Sequence, residues 1–179
     1  KIVAQLKLRS ISNKAIKAVK VSLNLFDTAG NPIGNALDYE YLDLPINLGI
    51  GGAVQAGYVY ADKNRYDIAV QMDGDGQHDI AYLEKVLEPI LNGEADITIG
   101  SRFLEKEGFQ SSQTRRIGIN ILSFLIKLTT GKRIMDVTSG FRAVNRKFIK
   151  IYAKDYPTDY PEPEAIVMAV MHRGKIQEV

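Results

Sequence analysis

The feature of this sequence that most constrains its fold is an apolar run that ends in two acidic residues separated by a glycine. The run at residues 67–72 (DIAVQM) has the length and composition of a buried strand, and Asp73-Gly-Asp75-Gly follows it directly. Carboxylates just past the C-terminal end of a buried strand stand at the edge where α/β sheets hold their ligands. Gly74 and Gly76 carry no side-chain bulk, so a ligand and a hard cation can approach the backbone there.

The middle of the chain alternates between strand and helix patterns. Residues 53–61 have a helical pattern, and apolar residues recur at helical spacing over residues 82–91, where Gly93 closes the predicted helix. Residues 96–100 predict another buried strand that runs into a loop. Strand–helix–strand alternation predicts an α/β fold with a parallel or mixed sheet.

The first 44 residues have a different pattern. Apolar and polar residues alternate over 2–8 and 19–25, turn residues fill 27–32, and residues 39–44 are a third candidate strand. This pattern predicts an antiparallel meander, faintly similar to small cell-envelope β-sandwich modules. Three strands of this length would not be stable alone.

Composition excludes several classes of protein. The chain has 179 residues and no Cys, which excludes a disulfide scaffold, a thiolate zinc site and a cysteine nucleophile. No apolar run approaches the roughly 20 residues that span a bilayer, and no signal peptide is recognisable at the start. We therefore expect a soluble chain in the cytoplasm, and a placement at the inner face of the cell membrane stays open.

The positive charge is unevenly distributed. The net charge is only +2, but residues 102–154 hold twelve Lys and Arg against Glu105, Glu107 and Asp136. This excess indicates an anionic partner such as a phosphate or a lipid headgroup, or else a solvated basic face. Aromatic residues are sparse in the segment and form no stacking pattern, so nucleic acid is not expected as a partner.

The acidic motif has two alternative interpretations. One is a plain acidic turn. The other is a calcium-binding EF-hand loop, because acidic and amide residues over 73–84 fall near the liganding positions. His78 stands where an EF-hand needs glycine, and residues 67–72 predict a strand where an EF-hand needs a helix.

Five ordered blocks of sequence resemble the family 2 inverting glycosyltransferases, and most closely the dolichol-phosphate and polyprenyl-phosphate sugar transferases. The blocks are 47–53 (NLGIGGA), 71–78 (QMDGDGQH), 100–103 (GSRF), 136–143 (DVTSGFRA) and 160–164 (YPEPE). The resemblance covers residues 45–179. It implies an α/β fold of the GT-A (Rossmann-like) type, preceded here by the short antiparallel β segment, and a nucleotide-diphosphate sugar as donor.

The resemblance also assigns roles to the acidic motif. By matching position, Asp73 and Asp75 are implied to bind the metal and the donor diphosphate, with Asp75 in a catalytic role and Gln77 as an auxiliary metal ligand. The implied cofactor is Mg²⁺ or Mn²⁺, which prefers carboxylate oxygens and substrate phosphates.

Further blocks are implied to bind the donor and the acceptor. Arg102 matches a phosphate contact, and Ser139, Gly140 and Arg142 match the loop that closes around the donor sugar and the acceptor phosphate. Guanidinium groups suit phosphate oxygens. Two more cations that could serve this role are Arg115 and Arg116.

An acidic pair lies where many relatives place one near the acceptor. One carboxylate of Glu162 and Glu164 would act as general base toward a hydroxyl acceptor. A lipid-phosphate acceptor is already anionic, and the pair could then orient the sugar. We slightly favour Glu164 over Glu162 as the catalytic carboxylate, and a purely structural role of the loop stays open.

The chain also departs from the family. Relatives open with a strand that leads into Pro-x-Tyr-Asn-Glu and later carry Asp-Asp-Gly-Ser, and together these elements form the nucleobase and ribose pocket. Neither element is present here. We therefore divide the chain into residues 1–44, a β-rich segment outside the family, and residues 45–179, a glycosyltransferase core without the usual nucleobase-binding elements.

The predicted function is metal-dependent, inverting transfer of a sugar from a nucleotide diphosphate to a polyprenyl-phosphate or glycan acceptor in cell-envelope glycan synthesis. The alternatives are a sugar-phosphate nucleotidylyltransferase and a non-catalytic binding or scaffold module. The apolar stretch at residues 117–128, flanked by cations, predicts either a core helix or an interfacial helix that makes peripheral membrane contact.

Overall fold

The computed structural model describes residues 2–9, 18–26, 32–34, 39–43, 46, 48–73, 80–101, 123–124, 127–128 and 134–179. Within these ranges the strands are β1 (Ile2–Arg9), β2 (Ala18–Phe26), β3 (Pro32–Gly34), β4 (Tyr39–Asp43), β5 (Ile68–Asp73), β6 (Ile97–Ile99), β7 (Arg142–Asn145) and β8 (Ile176–Glu178). The helices are α1 (Gly49–Lys63), α2 (Leu83–Leu91), α3 (Arg146–Lys154) and α4 (Pro161–Met171), and a 3₁₀ turn over Ile80–Tyr82 precedes α2.

All of these strands belong to one mixed sheet. Its order is β3-β2-β1-β5-β7-β6-β8, and β4 also pairs with β2. The pairs β1–β5 and β6–β8 are parallel, and the other pairs are antiparallel. The predicted α/β class with a parallel or mixed sheet is confirmed.

The strands before residue 44 continue the sheet of the later segment. β1 and β2 pair antiparallel, as the alternation of apolar residues predicts. β1 also pairs in parallel with β5, in a register that runs from Val3 opposite Ile68 to Leu8 opposite Asp73. This pairing gives the first strands the partner that they would lack alone. The division of the chain at residue 44 stays a prediction.

Side chains of β5 alternate between two cores. Ile68, Val70 and Met72 pack in the core that α2 covers, with Val86 and Leu87. Ala69 packs in the opposite core, which α1, α3 and α4 cover. Because successive side chains of a strand point to opposite faces, Gln71 and Asp73 share the face of Ala69.

Helix α1 begins at Gly49, four residues before the predicted start, and its first turn packs closely on the segment between α3 and α4. A Cβ built on Gly51 would meet the Pro157 carbonyl oxygen and would lie 2.6 Å from the Thr158 Cα. Only a residue without a Cβ allows this approach.

The other end of α1 is fastened to the start of α3. The Arg146 guanidinium donates to the main-chain carbonyls of Ala61, Asp62 and Tyr66, at 3.2–3.3 Å, and to the Asp62 carboxylate at 2.6 Å. The carbonyls of Ala61 and Asp62 also accept from the main-chain amides of Tyr66 and Arg65, so Arg146 adds a second donor to the end of this helix.

Buried aromatic rings join α1 to α3 and to the segment that follows α3. Tyr58 of α1 lies 5.3 Å from Tyr152 and 5.4 Å from Tyr156, and the Tyr152 and Tyr156 centroids are 5.1 Å apart. Phe148 extends the cluster, 5.6 Å from Tyr152. This packing places the connection between α3 and α4 directly against the core.

Most of the predicted apolar stretch at residues 117–128 lies outside the described residues. Phe124 and Leu128 are described in helical backbone, and they are 61% and 68% exposed. In the part of the chain that the structure describes, no helix is both long enough and apolar enough to cross a membrane.

Replacing Gly51 by Ala should destabilise the fold, although alanine is the better helix former. The new Cβ would collide with the main chain of residues 157–158, which we expect to cost about 1–3 kcal/mol. The comparison variant is Gly52→Ala, whose Cβ would lie 2.6 Å from the Cβ of exposed Leu48 but clear of residues 157–158, so that only the end of the helix must shift and a smaller loss is expected. Denaturant unfolding compares the two variants, and equal stability for both would contradict this account.

Candidate functional site

The carboxylate of Asp73 lies against the main chain of Gly140. Asp73 is the last residue of β5, and Gly140 directly precedes Phe141 and β7, the antiparallel neighbour of β5. A Cβ built on Gly140 would lie well within 3.0 Å of the Cγ and both oxygens of Asp73. Two blocks that the sequence places 67 positions apart (140 − 73 = 67) therefore meet at one point.

The segment that contains Gly140 is fastened to the end of β6. The Ser139 hydroxyl donates to the Gly100 carbonyl at 2.6 Å and accepts from the Phe141 amide at 3.2 Å. The Gly100 amide in turn donates to the Phe141 carbonyl at 2.8 Å. Ser139, a predicted donor-binding residue, is fully buried and shapes this segment.

The guanidinium of Arg142 is buried and bonded to three main-chain carbonyls. Nε donates to Ser139 at 2.7 Å, Nη2 to Val137 at 3.0 Å and Nη1 to Glu162 at 2.6 Å. Only 4% of the residue is exposed. These bonds join the turn before β7 to the first turn of α4. The predicted contact of Arg142 with a phosphate stays a prediction.

The turn over residues 135–136 is held by a carboxylate of β8. Both amides, of Met135 and Asp136, donate to Glu178, at 2.8 Å and 2.7 Å. Asp136 is fully buried, and its carboxylate accepts from the Thr138 hydroxyl at 3.4 Å. The DVTSGFRA block is thus bonded at its start as well as at Ser139 and Arg142.

The acidic pair lies in the first turn of α4, with Pro161 at the start of the helix. Glu162 is half-buried, whereas Glu164 is exposed. Burial raises the pKa of the Glu162 carboxyl above its ordinary value, and the Asp73 carboxylate raises it further. A backbone hydrogen bond and the Arg142 guanidinium act in the opposite direction. Burial is the largest of these influences on the pKa of Glu162, and the like charge of Asp73 is the smallest.

A hydrogen bond ties the connection between α3 and α4 to β5. The Tyr156 hydroxyl donates to Oε1 of Gln71 at 3.4 Å, and both side chains are buried. Burial raises the pKa of Tyr156 far above its usual range, so the hydroxyl stays protonated. Nε2 of Gln71 finds no acceptor among the described residues. A buried donor without a partner costs about 1–3 kcal/mol.

Gln71 and Tyr156 are site residues that the sequence analysis missed. The sequence analysis includes Gln71 in an apolar run, although a polar amide at the centre of a buried strand itself indicates a specific hydrogen-bond partner. Tyr156 has no comparable signal in the sequence, because only the packing of the aromatic cluster brings it under β5.

Other predicted site residues lie outside the described residues. They are Asp75, Gln77, Arg102, Arg115 and Arg116. Within the described ranges no group of three or more acidic or imidazole side chains is placed to hold a metal ion. The roles assigned to these residues, and the Mg²⁺ or Mn²⁺ cofactor, stay predictions. The strand β5 before the acidic motif disagrees with an EF-hand, which needs a helix there.

A mixed α/β sheet with an acidic residue at a strand end and a Ser-Gly-Phe-Arg turn beside it is the arrangement that the resemblance implies for sugar transferases. Residues 32–152, more than half of the chain, match the family described as Glycosyl transferase family 2. The chain belongs to this family, and its fold class is therefore GT-A. The match begins thirteen positions before Pro45 (45 − 32 = 13), within the segment that the sequence analysis placed outside the family.

Several curated proteins are similar to this chain. A UDP-N-acetylglucosamine--dolichyl-phosphate N-acetylglucosaminyltransferase of Methanococcus voltae is 33% identical over 136 residues, 74% of this chain and 54% of that protein. An undecaprenyl-phosphate mannosyltransferase of Micrococcus luteus is 34% identical, over 53% of this chain and 39% of that protein. A polyprenol monophosphomannose synthase of Mycolicibacterium smegmatis is 30% identical, over 57% and 38%. The chain spans about half the length of the curated relatives it matches.

Replacing Glu162 by Gln should stabilise the fold at neutral pH and not at low pH. A carboxyl whose pKa is raised in the folded state contributes its full stability below its unfolded pKa, near the ordinary value of 4.5, and loses it as pH rises through the folded pKa. The side chain of the introduced glutamine does not titrate, so it loses no stability as the pH rises. The unfolding free energy of Glu162→Gln relative to the wild type should therefore increase from pH 4 to pH 7.

Exposed Glu164 provides the matched control on the same helical turn. Glu164→Gln removes an equal charge from the N-terminal end of α4, and with it an equal interaction with the helix dipole, but without the burial. Denaturant unfolding at several pH values in metal-free buffer measures both variants. Two results would contradict the burial of a charge at Glu162. One is an unfolding free energy of Glu162→Gln, relative to the wild type, that does not change with pH. The other is the same change with pH for both variants.

Proposed function

We propose that this chain is the core of a metal-dependent, inverting glycosyltransferase that moves a sugar from a nucleotide diphosphate to a polyprenyl phosphate in cell-envelope glycan synthesis. The observation that carries the proposal is the meeting of the Asp73 carboxylate with the Gly140 main chain. Membership of glycosyl transferase family 2 supports the reaction type.

The names of the relatives support the class of substrates. One relative is named for a UDP-sugar donor and a dolichyl-phosphate acceptor, and another for an undecaprenyl-phosphate acceptor. We infer a nucleotide-diphosphate sugar as donor and a long isoprenoid phosphate as acceptor for this chain. A glycan hydroxyl is the alternative acceptor.

The proposed reaction is one in-line displacement. An acceptor oxygen forms a bond to the anomeric carbon as the bond from that carbon to the diphosphate breaks, so the configuration inverts and a nucleoside diphosphate leaves. A phosphate acceptor is already an anion and needs no base, whereas a hydroxyl acceptor must lose its proton to a carboxylate.

The described part of the proposed metal site fits a hard cation. Gly140 presents only main chain beside the Asp73 carboxylate, and carboxylate oxygens are ligands that a hard cation prefers. We propose Asp73, Asp75 and Gln77 as the residues that would hold Mg²⁺ or Mn²⁺. When bound, such a cation offsets the negative charge that develops on the leaving diphosphate.

Within the acidic pair, we propose Glu162 rather than Glu164 as the carboxylate that acts at the site. Glu162 is half-buried and interacts with Asp73, and its main-chain carbonyl is held by Arg142 at 2.6 Å. Glu164 is exposed on the same turn. Toward a hydroxyl Glu162 would act as general base, and toward a phosphate acceptor it would orient the sugar.

The natural full-length protein should release a nucleoside diphosphate from its donor when Mg²⁺ or Mn²⁺ and a polyprenyl phosphate are present, and a chelator should stop the reaction. Glu162→Gln should lower kcat about tenfold with a polyprenyl phosphate, where the carboxylate orients the sugar, and about 10²-fold or more with a hydroxyl acceptor, where it acts as the base. Glu164→Gln should leave kcat within a few-fold of the wild type. Product analysis by mass spectrometry or coupled assay measures all of these.

Other products would favour the other functions. Release of pyrophosphate would identify a nucleotidylyltransferase. No heat of binding in calorimetry with millimolar nucleotide sugar and Mn²⁺ would favour a scaffold. A larger loss for Glu164→Gln than for Glu162→Gln would reverse the assignment of the carboxylate.

We also propose that the segment around residues 117–128 contacts the cytoplasmic face of the membrane peripherally. Phe124 and Leu128 are largely exposed, and Lys127 between them is exposed as well. Apolar side chains beside cations favour an anionic lipid surface, because burial and charge attraction act together.

The protein should therefore sediment with vesicles that contain anionic lipid at low salt, and dissociate at high salt. A double variant, Phe124→Ser with Leu128→Ser, should bind several-fold more weakly, since it removes the buried apolar part. The matched control is Met171→Ser, which removes an apolar side chain that is 79% exposed at the end of α4. Equal binding to neutral and anionic vesicles, or an equal loss for the control, would contradict the proposed contact.

A further inference from the structure

We propose that Gln71 and Tyr156 are positioning residues: their hydrogen bond fixes the connection between α3 and α4 on β5, so that the first turn of α4, which carries Glu162, is held at the strand that ends at Asp73. The inference rests on the proposed function, because it explains how the helix that carries Glu162 is held at that site. Neither side chain is assigned to contact the substrate.

Residues 155–160 connect α3 to α4, and the path of this connection determines where α4 begins. It is held at three points. The Tyr156 hydroxyl bonds Gln71, the main chain of residues 157–158 packs on Gly51, and just beyond the connection the Glu162 carbonyl accepts from Arg142. Each point joins the start of α4 to a different element, β5, α1 and β7.

Gln71 is the contact that links the connection to the strand of Asp73. It lies two residues before Asp73 on the same face of β5, and it stands opposite Arg142 in the β5–β7 pairing. Gln71 and Arg142 therefore act as neighbouring anchors on adjacent strands. Gln71 accepts from the Tyr156 hydroxyl, and Arg142 donates to the main-chain carbonyl of Glu162.

Packing alone does not account for a glutamine at this position. Its neighbours Ile68, Ala69, Val70 and Met72 are buried and apolar, and Gln71 itself is 1% exposed. Its Oε1 is bonded, but its Nε2 has no acceptor in the described part of the chain. Replacing both partners of a buried polar pair by apolar groups of the same shape can be neutral or stabilising, so a role in positioning accounts for the amide where stability does not require it.

Tyr152 offers a matched comparison within the same aromatic cluster. Its ring lies 5.1 Å from that of Tyr156, and it is equally buried. Its hydroxyl donates at 2.8 Å to the Ala165 carbonyl of α4, and no described contact joins that hydroxyl to β5. Loss of the Tyr152 hydroxyl therefore tests the cost of removing a buried hydrogen bond without altering the bond to Gln71.

The experiment measures kcat, donor KM and thermal stability of the natural full-length protein in four variants: Tyr156→Phe, Gln71→Met, their combination, and the control Tyr152→Phe. We expect Tyr156→Phe and Gln71→Met each to lower kcat about tenfold with donor KM within twofold, because a displaced Glu162 weakens the reaction and not donor binding. The double variant should be no slower than either single variant, since both remove one bond.

Stability and activity should separate in these variants. Gln71→Met is nearly isosteric and removes the unpaired amide, so the melting temperature of the double variant should equal or exceed that of the wild type while kcat stays low. Tyr152→Phe should lower the melting temperature and keep kcat within twofold. If the pair served stability alone, the variants that lower kcat would also lower the melting temperature.

Three results would overturn the inference: kcat within twofold of the wild type in both single variants, losses that multiply in the double variant, or a loss for Tyr152→Phe equal to that for Tyr156→Phe. Hydrogen exchange provides a readout without catalysis, since amides of residues 158–160 should exchange faster in Tyr156→Phe and Gln71→Met but not in Tyr152→Phe. Unchanged exchange would also overturn it. Faster exchange in a protein that transfers no sugar would refute the proposed function and leave the positioning bond intact.

Discussion

The buried guanidinium of Arg142 is the interaction on which the arrangement of the site depends. A buried cation is tolerated only when its donors are bonded, and here three of them reach the carbonyls of Val137, Ser139 and Glu162. Each bond fixes a piece of main chain: the turn before β7, the residue beside Gly140, and the first turn of α4. Loss of this one side chain would remove a donor from three carbonyls and break the bond that joins the turn before β7 to the first turn of α4.

The sheet converts this local arrangement into a site by bringing distant sequence blocks to one edge. β5 ends at Asp73, and its antiparallel neighbour β7 begins at Arg142, so the end of one strand lies beside the approach to the other. Gly100 at the end of β6 bonds Ser139, and Gly51 of α1 packs on the connection that leads to Glu162. All five blocks that carry the family resemblance therefore contribute at least one residue to a single network, and the glycines in them permit the close approaches.

Periodicity was sufficient for several elements before residue 100, and it predicted none of β7, α3, α4 and β8. The apolar run over residues 67–72 predicted β5 (Ile68–Asp73) to within one residue, because a buried strand needs little more than a short run of apolar side chains. The start of α1 was predicted four residues late, since glycines have low helix propensity and only the packing on residues 157–158 makes them favourable there. The pairing of β1 with β5 had no signal in the sequence, because strand partners are chosen over long separations that periodicity does not encode.

The amino-acid sequence was enough to establish the α/β class, the family, and an acidic residue at the end of a buried strand, because these follow from local composition and from ordered motifs. Tertiary structure alone distinguished Glu162 from Glu164. Two residues that are two positions apart on a helix point about 200° apart around its axis, so only one of them can face the sheet. Which one does so depends on how α4 is docked, and that docking depends on the bond from Arg142 to the Glu162 carbonyl and on the packing of Tyr156 beneath β5.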